Sequence, residues 1–189
     1  MQKEWPLLLL SWYDENKRQL PWREQTDAYR TWVSEIMLQQ TRVEAVKDYY
    51  RRFLERFPAL EDLAAATEEE VLQQWQGLGY YSRARNLWQG AKETVAQYGG
   101  EVPKDEKSLR ALPGVGEYTA GAILSIAYQQ AVPAVDGNVL RVFSRLYGLQ
   151  EDVQTTAAKK RVAKLVSDVL PVNRPGDFNQ ALMDFGAAI

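Results

Sequence analysis

A single carboxylate, Glu35, lies within the apolar segment 32–39, WVSEIMLQ. On a helix with 100° per residue, the large apolar side chains of this segment cover well over half of the circumference. Such a helix is normally buried, so we expect Glu35 to have little contact with water. A carboxyl group short of water tends to keep its proton to higher pH, which suits general acid catalysis. The pattern leaves a second interpretation open, in which Glu35 lies in a narrow solvated strip or pairs with an arginine such as Arg23.

The composition limits the chemistry that this chain can perform. Its 189 residues, 46% hydrophobic and 25% charged, indicate a globular protein with one substantial core or two lobes that share one. The absence of cysteine and histidine excludes disulfides, thiolate catalysis, zinc sites and Ser-His relays within the chain. Acid–base chemistry therefore depends on carboxylates, lysine and tyrosine.

Charge and hydropathy bear on partners and location. No apolar run approaches the roughly 20 residues that span a bilayer, so we expect a cytoplasmic protein with no membrane partner. The net charge of −2 argues mildly against nucleic-acid binding. The charge is unevenly distributed, however, and an excess of bases over residues 132–167 leaves room for a basic face.

Helical periodicity extends over nearly the whole chain and predicts an all-α fold. The apolar stripe of the segment 28–57 changes phase, which indicates a break near residues 39–41. We expect helices over 3–18, 28–57 with that break, 68–75, 83–98, 107–112, 117–128, 138–148, 155–170 and 177–188.

The segment 112–116, LPGVG, precedes a helix rich in small residues. Gly114 and Gly116, on either side of Val115, allow a sharp turn that leaves N–H groups unpaired at the start of the next helix. Such a helix start binds phosphate oxygens through those N–H groups and the helix dipole. The pattern predicts a helix–hairpin–helix element at about 107–128 that binds the DNA backbone; the alternative is an ordinary turn between two helices.

Two further motifs each permit two interpretations. In VDGN, residues 135–138, Asp136 is either a catalytic carboxylate or simply the cap of the helix that follows. In GLGYYSRAR, residues 77–85, the aromatic pair is either a wedge into a base stack, with Arg83 and Arg85 behind it on phosphates, or a pair of core tyrosines.

Six ordered blocks together resemble the MutY-type adenine DNA glycosylases, of the helix–hairpin–helix glycosylase superfamily. The resemblance covers about residues 18–189. Its blocks are LPWR at 20–23, WVSEIMLQQT at 32–41, GLGYYSRARN at 77–86, LPGVG at 112–116, VDGN at 135–138 and FNQAL at 178–182.

The resemblance implies roles for individual residues. Glu35 matches the acid that protonates N7 of a flipped adenine, and Asp136 the carboxylate that stabilises the oxocarbenium-like sugar. Tyr118 and Asn138 would position these two groups. The residues that match the surroundings of the adenine pocket are Trp22, Arg23 and Gln180. Those that match the DNA-binding segments, including the ones facing the opposite oxidised guanine, are Gln40, Thr41, Leu78, Gly79, Tyr80, Gly114, Val115 and Gly116.

The resemblance also implies an architecture and a partner. We expect the helix–hairpin–helix glycosylase fold, with two helical lobes and the active-site cleft between them. Residues 22–131 would form a six-helix barrel lobe, and 1–21 with 132–189 the second lobe. The expected partner of this monomer is double-stranded DNA containing adenine opposite 8-oxoguanine or guanine, in the nucleoid of a bacterial cytoplasm.

Three alternatives stay open beside this family. Endonuclease III, which also cuts the backbone, has a Schiff-base lysine where this chain has Tyr118; a tyrosine forms no imine, so we predict a monofunctional enzyme. Thymine–guanine mismatch glycosylases can share the carboxylates and this tyrosine, but the block at 39–41 favours the adenine enzymes. The third alternative is a catalytically silent DNA-binding module, against which the intact Glu35 and Asp136 argue.

The chain departs from the family pattern after its last helix. Family members continue there with four cysteines that hold a [4Fe-4S] cluster and with a C-terminal domain that helps to find 8-oxoguanine. This sequence stops at Ile189. We therefore expect either a truncated piece or a form without the cluster, with no metal or cofactor in this chain and reduced lesion selectivity.

Overall fold

The computed structural model describes residues 4–189, which fold into α-helices with no strand among them. The all-α prediction is confirmed. The helices are α1 (Trp5–Asn16), α2 (Pro21–Glu24), α3 (Ala28–Leu38), α4 (Val43–Arg56), α5 (Leu60–Ala65), α6 (Glu68–Trp75), α7 (Ser82–Tyr98), α8 (Glu106–Arg110), α9 (Glu117–Ala122), α10 (Gly137–Tyr147), α11 (Thr156–Val169) and α12 (Pro175–Ala188). A π-helical segment, Ile123–Ala127, continues α9. None of the described helices is long and apolar enough to cross a membrane.

Local signals explain most helix boundaries. The side chain of Asp27 accepts a hydrogen bond from the N–H of Arg30 and caps α3. Thr67 and Glu70 form a capping box at the start of α6. The break predicted near 39–41 is confirmed, because α3 ends at Leu38 and α4 begins at Val43. Two short helices, α2 and α5, were not predicted, since four and six residues give too little periodicity.

One compact unit consists of Gln19–Ala120. Helix α3 lies in its core, and Trp32 on this helix is fully buried. A Cβ atom added at Gly90 of α7 would lie 2.7 Å from the Trp32 ring, so this close helix contact requires glycine. Phe53 of α4 packs edge-to-face against Phe57 and Trp75, with ring centroids 5.1 and 6.0 Å apart.

The second compact unit combines the chain up to Arg18 with Gly121–Ile189. Trp5 of α1 packs on Phe143 of α10 and Phe178 of α12, at centroid distances of 5.9 and 5.8 Å. The guanidinium of Arg18 pairs with the buried carboxylate of Asp184, with 2.5 Å between Nη2 and Oδ1. These contacts fix the first helix of the chain on the last.

Candidate functional site

Glu35 is a buried carboxylate that a tyrosine holds in place. Residues 31–37 of α3 are all buried, and Glu35 is only 7% exposed, so the interpretation of a solvated strip is wrong. The phenol of Tyr118, in the first turn of α9, donates a hydrogen bond to Oε2 of Glu35 over 2.7 Å. This bond fixes the direction in which the carboxyl group points.

The hairpin before α9 brings Tyr118 to this position. Asp105 caps α8 by accepting from the N–H of Ser108, and the buried Val115 donates its N–H to the carbonyl of Leu112. Gly114 has a φ of +75°, a conformation that favours glycine, and both Gly114 and Gly116 expose their backbone. The turn is thus anchored by a valine, while its two glycines face outward.

Asp136 is the N-cap residue of α10. Its Oδ1 accepts from the N–H of Val139 over 2.8 Å, and its Oδ2 accepts from the amide of Asn138 over 3.3 Å. Burial raises the pKa of Asp136, while the hydrogen bonds from Val139 and Asn138 act in the opposite direction. Capping therefore occupies one carboxylate oxygen firmly and the other only weakly.

The segment that leads to Asp136 is held by Asn179, to which no sequence motif assigns a role. This fully buried amide donates to the hydroxyl of Ser125 and the carbonyl of Val132, each over 2.9 Å, and accepts from the N–H of Ala134. The only sequence signal was its place within the block 178–182. The neighbouring Gln180 is half-buried, and its amide donates to the Gly176 carbonyl one turn earlier.

Trp22 and Arg23 lie on the short helix α2. Trp22 is 8% exposed and packs edge-to-face on Tyr50 of α4, with ring centroids 5.5 Å apart. Arg23, next to it, is half-buried. Trp22 is therefore part of the apolar core of its unit, and Arg23 lies at the margin of that core.

The proposed DNA-entering residues lie on two segments of the same unit, which we call the 39–41 turn and the 77–80 loop. Gln40 is exposed and has a φ of +56°, and Tyr80 is 64% exposed with a φ of +46°. Thr41 is half-buried, while Leu78 is buried, so Leu78 anchors its loop rather than projecting from it. The interpretation of Tyr80 as a core residue is wrong.

Comparison with known proteins identifies the family. The model of the "HhH-GPD superfamily base excision DNA repair protein" family matches residues 33–168. The chain belongs to this superfamily. The superfamily indicated by the six sequence blocks is thereby confirmed.

Relatives of this HhH-GPD protein include several named adenine DNA glycosylase. The rat protein is 50% identical over 190 residues, which cover 96% of this chain and 37% of the relative. The human protein is 48% identical, with 96% of this chain and 35% of the relative covered. The protein from Buchnera aphidicola subsp. Acyrthosiphon pisum is 39% identical, with 96% and 52% covered. The chain thus spans about a third of the mammalian relatives and about half of the bacterial one.

Solved structures confirm the fold of this HhH-GPD protein. A thermostable thymine-DNA glycosylase superposes with a TM-score of 0.90 at 30% identity, covering 100% of this chain and 87% of that chain. An endonuclease III trapped covalently on DNA superposes with a TM-score of 0.80 at 24% identity, covering 97% and 83%. The helix–hairpin–helix glycosylase fold predicted from the sequence is therefore present.

The residues of this HhH-GPD chain do not fit a metal cluster. It has no cysteine, and thiolates are what hold a [4Fe-4S] cluster in place. Across residues 4–189 no cluster of three or more carboxylates or other metal ligands is arranged to hold a metal ion. We therefore assign no chemical step to such a group.

In this HhH-GPD protein, the environment of Arg83 differs from the one expected from the sequence. The wedge interpretation expects Arg83 to contact phosphates, but its side chain is only 9% exposed, and burial lowers its pKa. Its guanidinium bonds to protein carbonyls instead. Arg85, by contrast, is exposed and pairs with Glu68 over 2.7 Å.

Proposed function

We propose that this HhH-GPD protein is a monofunctional DNA glycosylase that removes adenine mispaired with 8-oxoguanine or guanine in double-stranded DNA. The observation that carries the proposal is the buried Glu35 carboxyl group, held by the hydroxyl of Tyr118 over 2.7 Å. Its specificity for adenine is supported by 50% and 48% identity to the rat and human adenine DNA glycosylases over nearly the whole chain.

In the first step, Glu35 acts as the general acid. The target adenine must leave the base stack, because protonation and access to its sugar cannot both take place inside the duplex. Glu35 donates its proton to N7, and the electron pair of the bond between C1′ and N9 moves into the purine as that bond breaks. Tyr118 supports this step as a positioning residue, because its hydrogen bond orients the carboxyl group.

In the second step, Asp136 acts as an anion. Loss of the base leaves an oxocarbenium-like sugar, and the carboxylate stabilises its positive charge until water adds to C1′ and releases a proton to the solvent. The ionised form of Asp136 is favoured by the N–H of Val139 and the amide of Asn138. These bonds offset part of the cost of burying the charge.

The remaining site residues would bind the substrate. We assign Trp22, Arg23 and Gln180 to the surroundings of the flipped adenine. Gln40, Thr41 and the 77–80 loop would face the base opposite it, and Gly114 with Gly116 would present backbone N–H groups to phosphates. No cofactor takes part in either step of the proposed reaction.

Removal of thymine from T·G mismatches is the second candidate function. The superposition on a thymine-DNA glycosylase, with a TM-score of 0.90 at 30% identity, favours it. The higher identity to adenine DNA glycosylases and the sequence at 39–41 favour adenine. The two candidates share the fold and differ in the base that they release.

A single-turnover assay decides between them. The assay compares adenine release from A·8-oxoguanine, A·G and A·T duplexes with thymine release from a T·G duplex. We expect adenine release opposite 8-oxoguanine and guanine, much slower release opposite thymine, and no thymine release. Release of thymine without adenine would overturn the proposal in favour of the second candidate.

The monofunctional character has its own test. Because Tyr118 stands where a Schiff-base amine would be needed, borohydride added during the reaction should trap no strong covalent adduct with DNA. Abundant trapping would show that another amine of the chain attacks the sugar.

A further inference from the structure

The guanidinium of Arg83 connects the 39–41 turn and the 77–80 loop, which both belong to the Gln19–Ala120 unit. Arg83 lies in the first turn of α7, and its side chain is buried rather than directed at solvent. Toward the first segment, Nη1 donates to the carbonyls of Ile36 and Met37, each over 3.0 Å, and to that of Gln39. Nη2 also lies 3.3 Å from the hydroxyl of Thr41. Arg83 thus binds both to the end of α3 and to the 39–41 turn.

The same guanidinium holds the 77–80 loop. Nη2 donates to the carbonyl of Gly79 over 3.2 Å and reaches that of Leu78 at 3.5 Å. The guanidinium also lies over the rings of Trp75 and Tyr80, 5.5 and 5.6 Å from their centroids. The indole N–H of Trp75 also donates a hydrogen bond to the carbonyl of Gly79 over 3.2 Å. One planar group therefore bonds to both segments, about 40 residues apart in sequence.

Each segment carries a backbone conformation that needs support. Gln40 and Tyr80 have left-handed φ values of +56° and +46°, which residues with a Cβ atom rarely adopt. Among non-glycine residues in the described chain, Gln129 alone shares this feature. Such conformations persist where surrounding contacts enforce them. Arg83 supplies those contacts at both places.

We propose that Arg83 is a positioning residue that makes the 39–41 turn and the 77–80 loop a single unit for reading the base opposite the excised adenine. The inference rests on the proposed function, since it assigns this reading to Gln40 and Tyr80. A lysine cannot replace Arg83, because one ammonium group cannot reach the acceptors that a planar fork with five N–H donors reaches. Opposite-base specificity then depends on a side chain whose own charge is buried.

The test compares Arg83→Lys with Arg85→Lys. Both variants keep the positive charge, and the two positions lie two residues apart on α7, but Arg85 is exposed and pairs at the surface with Glu68. In single turnover, Arg83→Lys should lower the ratio of adenine release opposite 8-oxoguanine to release opposite thymine by roughly tenfold. Arg85→Lys should leave the ratio unchanged. If Arg83→Lys instead slows release from every duplex by the same factor, the ratio is unchanged. That result would indicate a merely structural role for Arg83 and would overturn the proposal.

A second variant tests the connection without touching the guanidinium. Trp75→Phe keeps an aromatic ring beneath Arg83 and removes the N–H donated to Gly79. Hydrogen exchange then follows the amides of Leu78 and Thr41, which donate to the carbonyls of Trp75 and Leu38. If the segments form one unit, exchange should accelerate at both amides; acceleration at Leu78 alone would overturn the proposal.

The exchange experiment also separates this inference from the proposed function. A wild-type protein that releases no adenine would refute the proposed function and with it the reading role. Joint acceleration at Leu78 and Thr41 would still establish the link through Arg83. Adenine release that keeps its full opposite-base ratio in Arg83→Lys would refute the reading role and leave the proposed function standing.

Discussion

Glu35 and Asp136 both have a carboxyl group, but they occupy different positions in their two helices. Glu35 lies two turns into α3, where the backbone N–H groups bond to carbonyls of the same helix. Asp136 is the N-cap of α10, where backbone N–H groups are free to bond to a side chain. A carboxylate inside a helix must therefore take its hydrogen-bond donors from other elements, whereas a carboxylate at a helix start takes one from its own.

The two carboxylates therefore have different kinds of hydrogen-bond donor. The hydroxyl of Tyr118, from α9, reaches Glu35, and the N–H of Val139 reaches Asp136. A side-chain donor can be removed by a conservative substitution, whereas a backbone N–H donor is removed only by proline. We expect the orientation of Glu35 to be the more easily disturbed by mutation, and the predictions below test that expectation.

The largest effect is expected for Glu35→Gln. Glutamine has nearly the same shape and can still accept from the Tyr118 hydroxyl, but it has no proton to give to adenine. Loss of a general acid costs roughly 10²–10⁴-fold in rate, so single-turnover adenine release should fall by that amount while the melting temperature stays near that of the parent. A variant as active as the parent would show that a group other than Glu35 acts as the general acid.

The next effect is expected for Asp136, where two substitutions separate capping from catalysis. Asparagine caps a helix as well as aspartate does, whereas alanine loses the cap at a cost of about 1 kcal/mol. Both Asp136→Asn and Asp136→Ala should lose about 10²–10³-fold in adenine release, because both remove the charge that stabilises the sugar cation. Only the alanine variant should lose the cap, which denaturant unfolding would detect.

The pH dependence of stability sharpens this second prediction. The pKa of Asp136 is raised by burial, so its protonated form favours folding below the unfolded pKa of about 3.9. That contribution is lost as the pH rises through the raised folded pKa. Relative to Asp136→Asn, the parent should therefore become less stable as the pH rises from about 4 through the raised folded pKa of Asp136. A parent that gains stability over this range would contradict the burial of the charge.

A smaller effect is expected from the supporting residues, and here the two carboxylates should differ. Tyr118→Phe removes a 2.7 Å hydrogen bond from Glu35, and adenine release should fall about tenfold. Asn138→Ala removes a 3.3 Å bond from Asp136, which keeps the N–H of Val139, so the loss should be only a few-fold. Equal losses in the two variants would show that the backbone donor gives Asp136 no advantage.

Several of these features followed from the sequence because their causes are local. The burial of Glu35 follows from its apolar neighbours on α3, and the end of that helix follows from the change of phase near Gln40. The cap at Asp136 follows from the residue type and the helix after it. In each case the determining residues lie within about one or two helical turns.

Other features depend on contacts between distant parts of the chain. Arg83 and Arg85 look alike in sequence, and only the carbonyls of residues 36–39 and 78–79 distinguish the buried one. Asn179 likewise bonds to residues about 50 positions earlier. A pattern of residue types does not encode such partners, because they are set by how helices pack.

The most direct test of the account replaces the target adenine by 7-deazaadenine opposite 8-oxoguanine. This base keeps the shape of adenine but has a C–H in place of N7, so Glu35 has no site to protonate. The protein should bind both duplexes, release adenine in single turnover and leave 7-deazaadenine attached. Release of 7-deazaadenine at a rate close to that of adenine would contradict the assignment of Glu35 as the acid that protonates N7.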